Sequence, residues 1–138
     1  MELNDYTYEK IEKGMVFKFE RVLTTQDLAH FAELTKDYNP LHCDEEYARE
    51  KGFKNRVVYG MLGGSLFSTL VGMVCPGKRN LYLTQSLNFK KPLYPGEKLV
   101  IQGEVIDKSD GINVLTVKTE IISGGTVAIN GVAKVKII

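Results

Sequence analysis

A chain of 138 residues, 43% apolar and 25% charged, suits one domain over residues 1–138 that buries about two-thirds of its unfolded surface. A net charge of +1 with no basic block argues against nucleic-acid and membrane partners, and no apolar run reaches the roughly 20 residues that span a bilayer. Two cysteines and two histidines without metal-type spacing make a metal site unexpected, and such sparse cysteine usage fits a reducing, cytoplasmic compartment. The opening MELNDYTYEK lacks the positive start and apolar core of a signal peptide.

A polar lead-in closes at Gly14, and Val16 to Leu23 then alternates apolar with charged residues, as a half-buried strand does. Thr24 or Thr25 can cap a helix over Gln26 to Thr35, whose Leu28, Phe31, Ala32 and Leu34 make an apolar face. Asp44 caps a short charged helix over Glu45 to Lys51, stopped by Gly52. Gly60 to Val74 (GMLGGSLFSTLVGMV) has no charged residue and shows apolar side chains on every side at a helical period. It reads as a helix buried all round, ended by Cys75-Pro76-Gly77. Its glycines at 60, 63, 64 and 72 would each cost about 1 kcal/mol relative to alanine in a helix interior. Something must therefore approach this backbone closely, whether packing side chains or a ligand.

From Leu81 the period becomes two. Leu81, Leu83, Leu87 and Phe89 alternate, Pro95-Gly96 turns the chain, and Leu99, Ile101 and Val105 share the next face. Asp110-Gly111 is a hairpin signal, followed by Leu115, Val117 and Ile121; Gly124-Gly125 turns again into the alternating run Val127 to Ile137. The class is α+β: an antiparallel meander with one face buried, wrapped around one long central helix. Such a sheet leaves an edge strand open, and pairing two edges is an economical route to a dimer.

Between the first two helices lies Asp37-Tyr38-Asn39-Pro40-Leu41-His42. Pro40 has a fixed φ and no N–H, and it pushes Asn39 towards an extended backbone, so the upstream helix should stop here and leave Asp37 and His42 on a short, stiff loop. A carboxylate and an imidazole converging on one polar molecule suit proton transfer, where each positioned group gives about 10²–10⁴-fold. A turn aspartate beside a partly buried histidine is the bland alternative for these two residues taken alone. His30 reads as a surface residue of the first helix, and Cys43 diverges from its neighbour His42.

The run Asp37 to His42, with Asp44, Ala48, Tyr59-Gly60-Met61-Leu62, Ser65-Leu66-Phe67-Ser68, Pro76-Gly77, Tyr82 to Phe89, Pro92 and Pro95-Gly96-Glu97, resembles the MaoC-like (R)-specific enoyl-CoA hydratases. The likeness runs from about residue 24 to the end. It implies a hot-dog fold, a homodimer with sites near the subunit interface, and reversible syn addition of water to a trans-2-enoyl-CoA, a reaction of fatty-acid metabolism. Coenzyme A would be part of the substrate, so no separate cofactor is expected. Carried over, Asp37 and His42 would be the catalytic dyad that holds and activates the water. Asn39 falls in the substrate-binding set as an organiser of the loop through backbone hydrogen bonds. Ser68 matches a serine that the family places at the active site; a buried serine bonding its own helix carbonyl is the alternative. Negative charge developing on the thioester oxygen needs a donor already in place, and Gly60 at the positive end of the long helix is the candidate. Lys78, Arg79, Lys90 and Lys91 are available to coenzyme phosphates, or are simply solvated.

Two departures stand out. The family commonly has Gly where this chain has Lys36, and His where it has Tyr59. Both leave the dyad intact and bear on loop geometry and substrate preference. An acyl-thioesterase and an acyl-carrier-protein dehydratase of the same fold are rival enzymes. A non-catalytic acyl-binding subunit is the rival outside catalysis.

Overall fold

In the computed structural model, which describes residues 1–138, strands β1 (Val16–Val22), β2 (Asn80–Gln85), β3 (Asn88–Phe89), β4 (Lys98–Ser109), β5 (Val114–Ser123) and β6 (Thr126–Ile137) form one sheet. The order is β1-β4-β5-β6-β2, with β3 beside β6, and every pairing is antiparallel. The alternation in β4 to β6 dictates this centre. Leu99, Ile101, Val105, Val117, Ile121, Ala133 and Val135 are all inward and buried, with Thr119 the polar residue buried among them, while Lys118, Lys134 and Lys136 face out. The β5–β6 connection is the expected two-residue turn, with Gly124 at φ 58° and Gly125 at φ 76°, both in the left-handed region that such a hairpin demands. The β4–β5 connection is longer than its Asp110-Gly111 signal suggested. It runs through Asp110–Asn113, with Gly111 and Asn113 at positive φ.

The helices are α1 (Thr25–Thr35), α2 (Pro40–Cys43), α3 (Glu45–Glu50) and α4 (Gly60–Thr69); α4 continues as π-helical turns over Leu70–Val74. Thr24 is the cap that starts α1, in a reciprocal pair with Asp27: each side chain accepts the other residue's amide hydrogen. The Thr24 amide, then the Thr24 hydroxyl and Arg21, hold the Asp27 carboxyl below its usual range. Asp44 caps α3 by accepting from the Tyr47 amide. The 60–74 segment lies in the concave face of the sheet, and Phe67, Leu70 and Val71 are its fully buried anchors. This is the hot-dog arrangement. No helix is long and apolar enough to cross a membrane.

Three expectations need correction. The segment after Asn39 is not a loop: Pro40 begins a helical turn, where its missing N–H is harmless, and Asn39 caps that turn by accepting from the Leu41 amide at 3.0 Å. The strand from Leu81 to Phe89 is broken at Ser86-Leu87 into β2 and β3. Its alternation also points the other way: Tyr82 faces the core, while Leu81 and Leu83 are 49% and 47% exposed. β2 pairs with β6 on one side and is free on the other, so these leucines flank an open sheet edge.

The glycines of α4 answer to packing. A Cβ at Gly63 would lie 2.7 Å from Ile129 Cδ1, and one at Gly64 2.9 Å from Leu87 Cδ1. A side chain at either position would have to displace those side-chain tips.

Candidate active site

The end of α1 and the turn of α2 deliver Asp37 and His42 to one cleft of about 850 Å³. Lys36 closes α1 in the left-handed conformation, at φ 63° and ψ 20°, with its amide on Ala32 O at 2.7 Å. A glycine adopts that conformation freely, whereas a side chain there costs about 1–2 kcal/mol. Part of that gain is returned through the freer unfolded chain. Lys36→Gly is therefore expected to raise stability by about 0.5–1 kcal/mol, seen as a melting point about 3 °C higher by thermal denaturation.

Asp37 Oδ1 accepts the Asn39 amide at 3.1 Å, and the Asp37 amide donates to Thr35 Oγ1 at 3.3 Å. Its second carboxylate oxygen has no partner within the chain. His42 is half-buried, and its Nδ1 lies 2.7 Å from Val57 O. A carbonyl oxygen can only accept, so Nδ1 carries the proton and Nε2 of the neutral ring is the free base. Val57 is itself tied back, its amide donating to Leu41 O at 3.1 Å. The imidazole stacks on the Tyr59 ring with centroids 4.0 Å apart and planes 27° apart.

α4 begins at the floor of the cleft. Tyr59 is its N-cap residue but makes no side-chain cap, and the Gly60 and Met61 amides have no hydrogen-bond partner in the chain. Both residues line the cleft. Unpaired amides at the positive end of a helix are a preorganised site for an oxygen that gains negative charge. Gly60 also packs tightly: a Cβ there would lie 2.8 Å from Phe89 Cε1. The remaining wall is largely apolar, with Phe31, Val58, Phe89, Leu93 and Ile129, and Lys90 at one side. A small polar reacting centre at the dyad with an apolar chain beyond it matches that lining.

Asp37, His42 and Gly60 thus come together. Asn39 does not join them; it is exposed and spends its side chain on capping α2. Ser68 does not line the cleft either. It is exposed on the α4 stripe that also carries Met61 and Ser65, positions i, i+4 and i+7. The serine that bonds its own helix is Ser65, whose hydroxyl donates to Leu62 O at 2.6 Å. Of the basic residues, Arg79 pairs with Asp5, Lys91 donates to Ser123 O at 2.7 Å, and Lys90 faces the cleft. His30 is exposed, beside Gln26. Cys43 is an exposed thiol and Cys75 a buried one, pushed up to about 12 by burial. The contacts of Tyr59 with Phe31, Asp37, His42 and Cys43 were invisible in sequence: residues 16 to 28 positions apart meet only once α1, α2 and the 53–59 connection fold together.

Residues 7–125 match the family described as the MaoC-like domain. The chain is similar to the (R)-specific enoyl-CoA hydratase of Aeromonas caviae, 37% identical over 130 residues that cover 94% of this chain and 97% of that protein. The solved structure of an (R)-hydratase from A. caviae superposes with a TM-score of 0.91 at 37% identity, covering 94% of this chain and 99% of that one. A stretch of 90 residues, 65% of this chain, is 40% identical to the mitochondrial 3-hydroxyacyl-[acyl-carrier-protein] dehydratase of Arabidopsis thaliana and spans 53% of that protein.

Proposed function

The chain belongs to the MaoC-like domain family, and on that premise we propose that it is an (R)-specific enoyl-CoA hydratase, adding water reversibly and with syn geometry to a short or medium trans-2-enoyl-CoA. The observation that carries this reading is the convergence of Asp37, His42 with its free Nε2, and the unpaired Gly60 and Met61 amides on one apolar cleft.

The chemistry follows from those groups. A water held between the free oxygen of Asp37 and His42 Nε2 attacks C3 of the enoyl thioester, and its proton passes to Nε2. The C2–C3 π electrons move onto the thioester oxygen, where the α4 amides stabilise the charge. The new Nε2–H then protonates C2. Nucleophile and proton reach the substrate from one side, so the addition is syn, and the imidazole returns neutral. Water, substrate and protein groups balance the reaction without a further reactant.

The open β2 edge, half-exposed Leu81 and Leu83, and the exposed Met61–Ser65–Ser68 stripe of α4 support a homodimer. Asp37 is exposed in a single subunit, and a second subunit near the cleft would dry it. Two free thiols fit a cytoplasmic setting.

The test is loss of the conjugated enoyl-thioester absorbance on mixing purified protein with crotonyl-CoA, with the product offered to an (R)-specific 3-hydroxyacyl-CoA dehydrogenase. Absorbance loss with dehydrogenase-competent product is expected. Free thiol without hydration would instead mark a thioesterase. Turnover confined to carrier-protein thioesters would mark a dehydratase of that class, and silence with every acyl chain would leave a binding role.

A further inference from the structure

We propose that Tyr59 is a positioning residue that holds Asp37 and His42 in one arrangement through two separate contacts. Its phenol donates to the Asp37 carbonyl oxygen at 2.5 Å, and its ring lies under the His42 imidazole. The kinetic part of this proposal rests on the hydratase reading; the structural part does not.

The phenol is buried, and Cys43 Sγ sits 3.5 Å from its oxygen. Since the phenol hydrogen is committed to Asp37 O, the thiol hydrogen is the one shared with Cys43. Burial first, then Cys43, hold the phenol far above its ordinary titration range, so it remains a donor at any working pH. Phe31 braces the ring, with centroids 4.8 Å apart and planes at 48°.

Each dyad residue is thereby held at two points. Asp37 is fixed at its carbonyl by Tyr59 and at its carboxylate by the Asn39 amide. His42 is fixed at one edge by Val57 O and over its face by Tyr59. Without the phenol, Asp37 is anchored only by its own turn in an exposed stretch. Proton transfer tolerates little of this: a 1 Å misplacement costs on the order of 100-fold. Tyr38, Cys43 and Arg56 share the small cavity on one side of His42, and Asp37, Lys90 and Lys91 share the cleft on the other. Only residue 59 differs between the proteins compared, so each of these groups is present in all of them.

The experiment compares the wild-type protein with Tyr59→Phe, which removes only the phenol oxygen, and Tyr59→Leu, which also removes the ring. With crotonyl-CoA, Tyr59→Phe should lower kcat about tenfold with KM within twofold, and Tyr59→Leu about 100-fold. The His42 ring signals are followed in parallel by NMR, the two histidines being distinguished by His30→Gln. The Tyr59 ring current shields an imidazole stacked on its face, so the His42 ring protons should keep their positions in Tyr59→Phe and move downfield in Tyr59→Leu. A residue that merely fills space would leave kcat at constant KM unmoved. Both variants within twofold of wild-type kcat, with unmoved His42 signals in Tyr59→Leu, would overturn the proposal. If the wild type fails to hydrate any enoyl thioester, it is the hydratase reading that fails, and the NMR signals alone decide on Tyr59. If Tyr59→Leu does not fold, Tyr59→Phe decides through its kcat at constant KM.

Discussion

Replacing His42 with alanine is expected to lower kcat for crotonyl-CoA hydration at least 100-fold, and Asp37→Asn is expected to do the same. The two substitutions test different things. His42→Ala removes the imidazole that would take the proton from water and leaves Val57 O without the Nδ1 hydrogen. That loss also destabilises, by about 1–3 kcal/mol for a group left unsatisfied, so the variant must be shown folded by its melting curve. Asp37→Asn keeps an oxygen able to accept the Asn39 amide and so preserves the turn, while removing the negative charge that orients the water. In the proposed mechanism both groups act on one water, so the double variant should be hardly slower than His42→Ala alone. Either single variant retaining more than a tenth of the wild-type kcat would remove that residue from the chemistry.

The residues that announce this site were legible because their constraint is local. Pro40 restricts its own φ and the residue before it, so the break after α1 could be read from two positions, although the single helical turn Pro40–Cys43 was not. The turn forms because Asn39 caps it, and a loop-forming Asn-Pro looks the same in sequence as a helix-starting one. The central meander was legible for a similar reason: alternation in β4 to β6 is a property of each strand. What could not be read was pairing at a distance. β1 joins β4 and β2 joins β6 across several intervening elements, and nothing local distinguishes an apolar alternation buried in its own core from one presented at an edge. Leu81 and Leu83 belong to the second kind. The cost of the α4 glycines pointed correctly to close approach but not to its partner. That partner is Ile129 for Gly63, Leu87 for Gly64 and the Phe89 ring for Gly60.

The glycine with the most severe constraint is not in α4. Gly131→Ala is expected to cost about 3 kcal/mol or more, lowering the melting point by about 10 °C. An added Cβ would lie 1.7 Å from the Ser86 carbonyl oxygen and 2.7 Å from its carbon, so backbone must move. That backbone is the break between β2 and β3, and it is held from several sides. The Ser86 amide donates to Val132 O at 3.0 Å, Ser86 Oγ accepts the Val132 amide at 2.8 Å, and Gln85 Nε2 donates to both Ser86 O and the hydroxyl of fully buried Thr119. Tyr82, pushed up to about 12 by burial, donates to Gln85 Oε1. Shifting Ser86 therefore strains the hydrogen bonds that tie Gln85 and Ser86 to β6 and to Thr119, each contributing about 1 kcal/mol. The displacement also passes along β3 to Phe89 and Lys90, which wall the cleft, so KM should rise as stability falls. Gly63→Ala is the contrasting variant. Its Cβ meets only side-chain tips, Ile129 Cδ1 at 2.7 Å and Leu93 Cδ1 at 3.4 Å, which can yield, and alanine regains about 1 kcal/mol of helix propensity, so the net change should stay within about 1 kcal/mol. Thermal unfolding of the two variants side by side separates a glycine required by backbone from one required by a side chain. A Gly131→Ala protein melting within 2 °C of wild type would mean that the Ser86 carbonyl is not held against β6 as described.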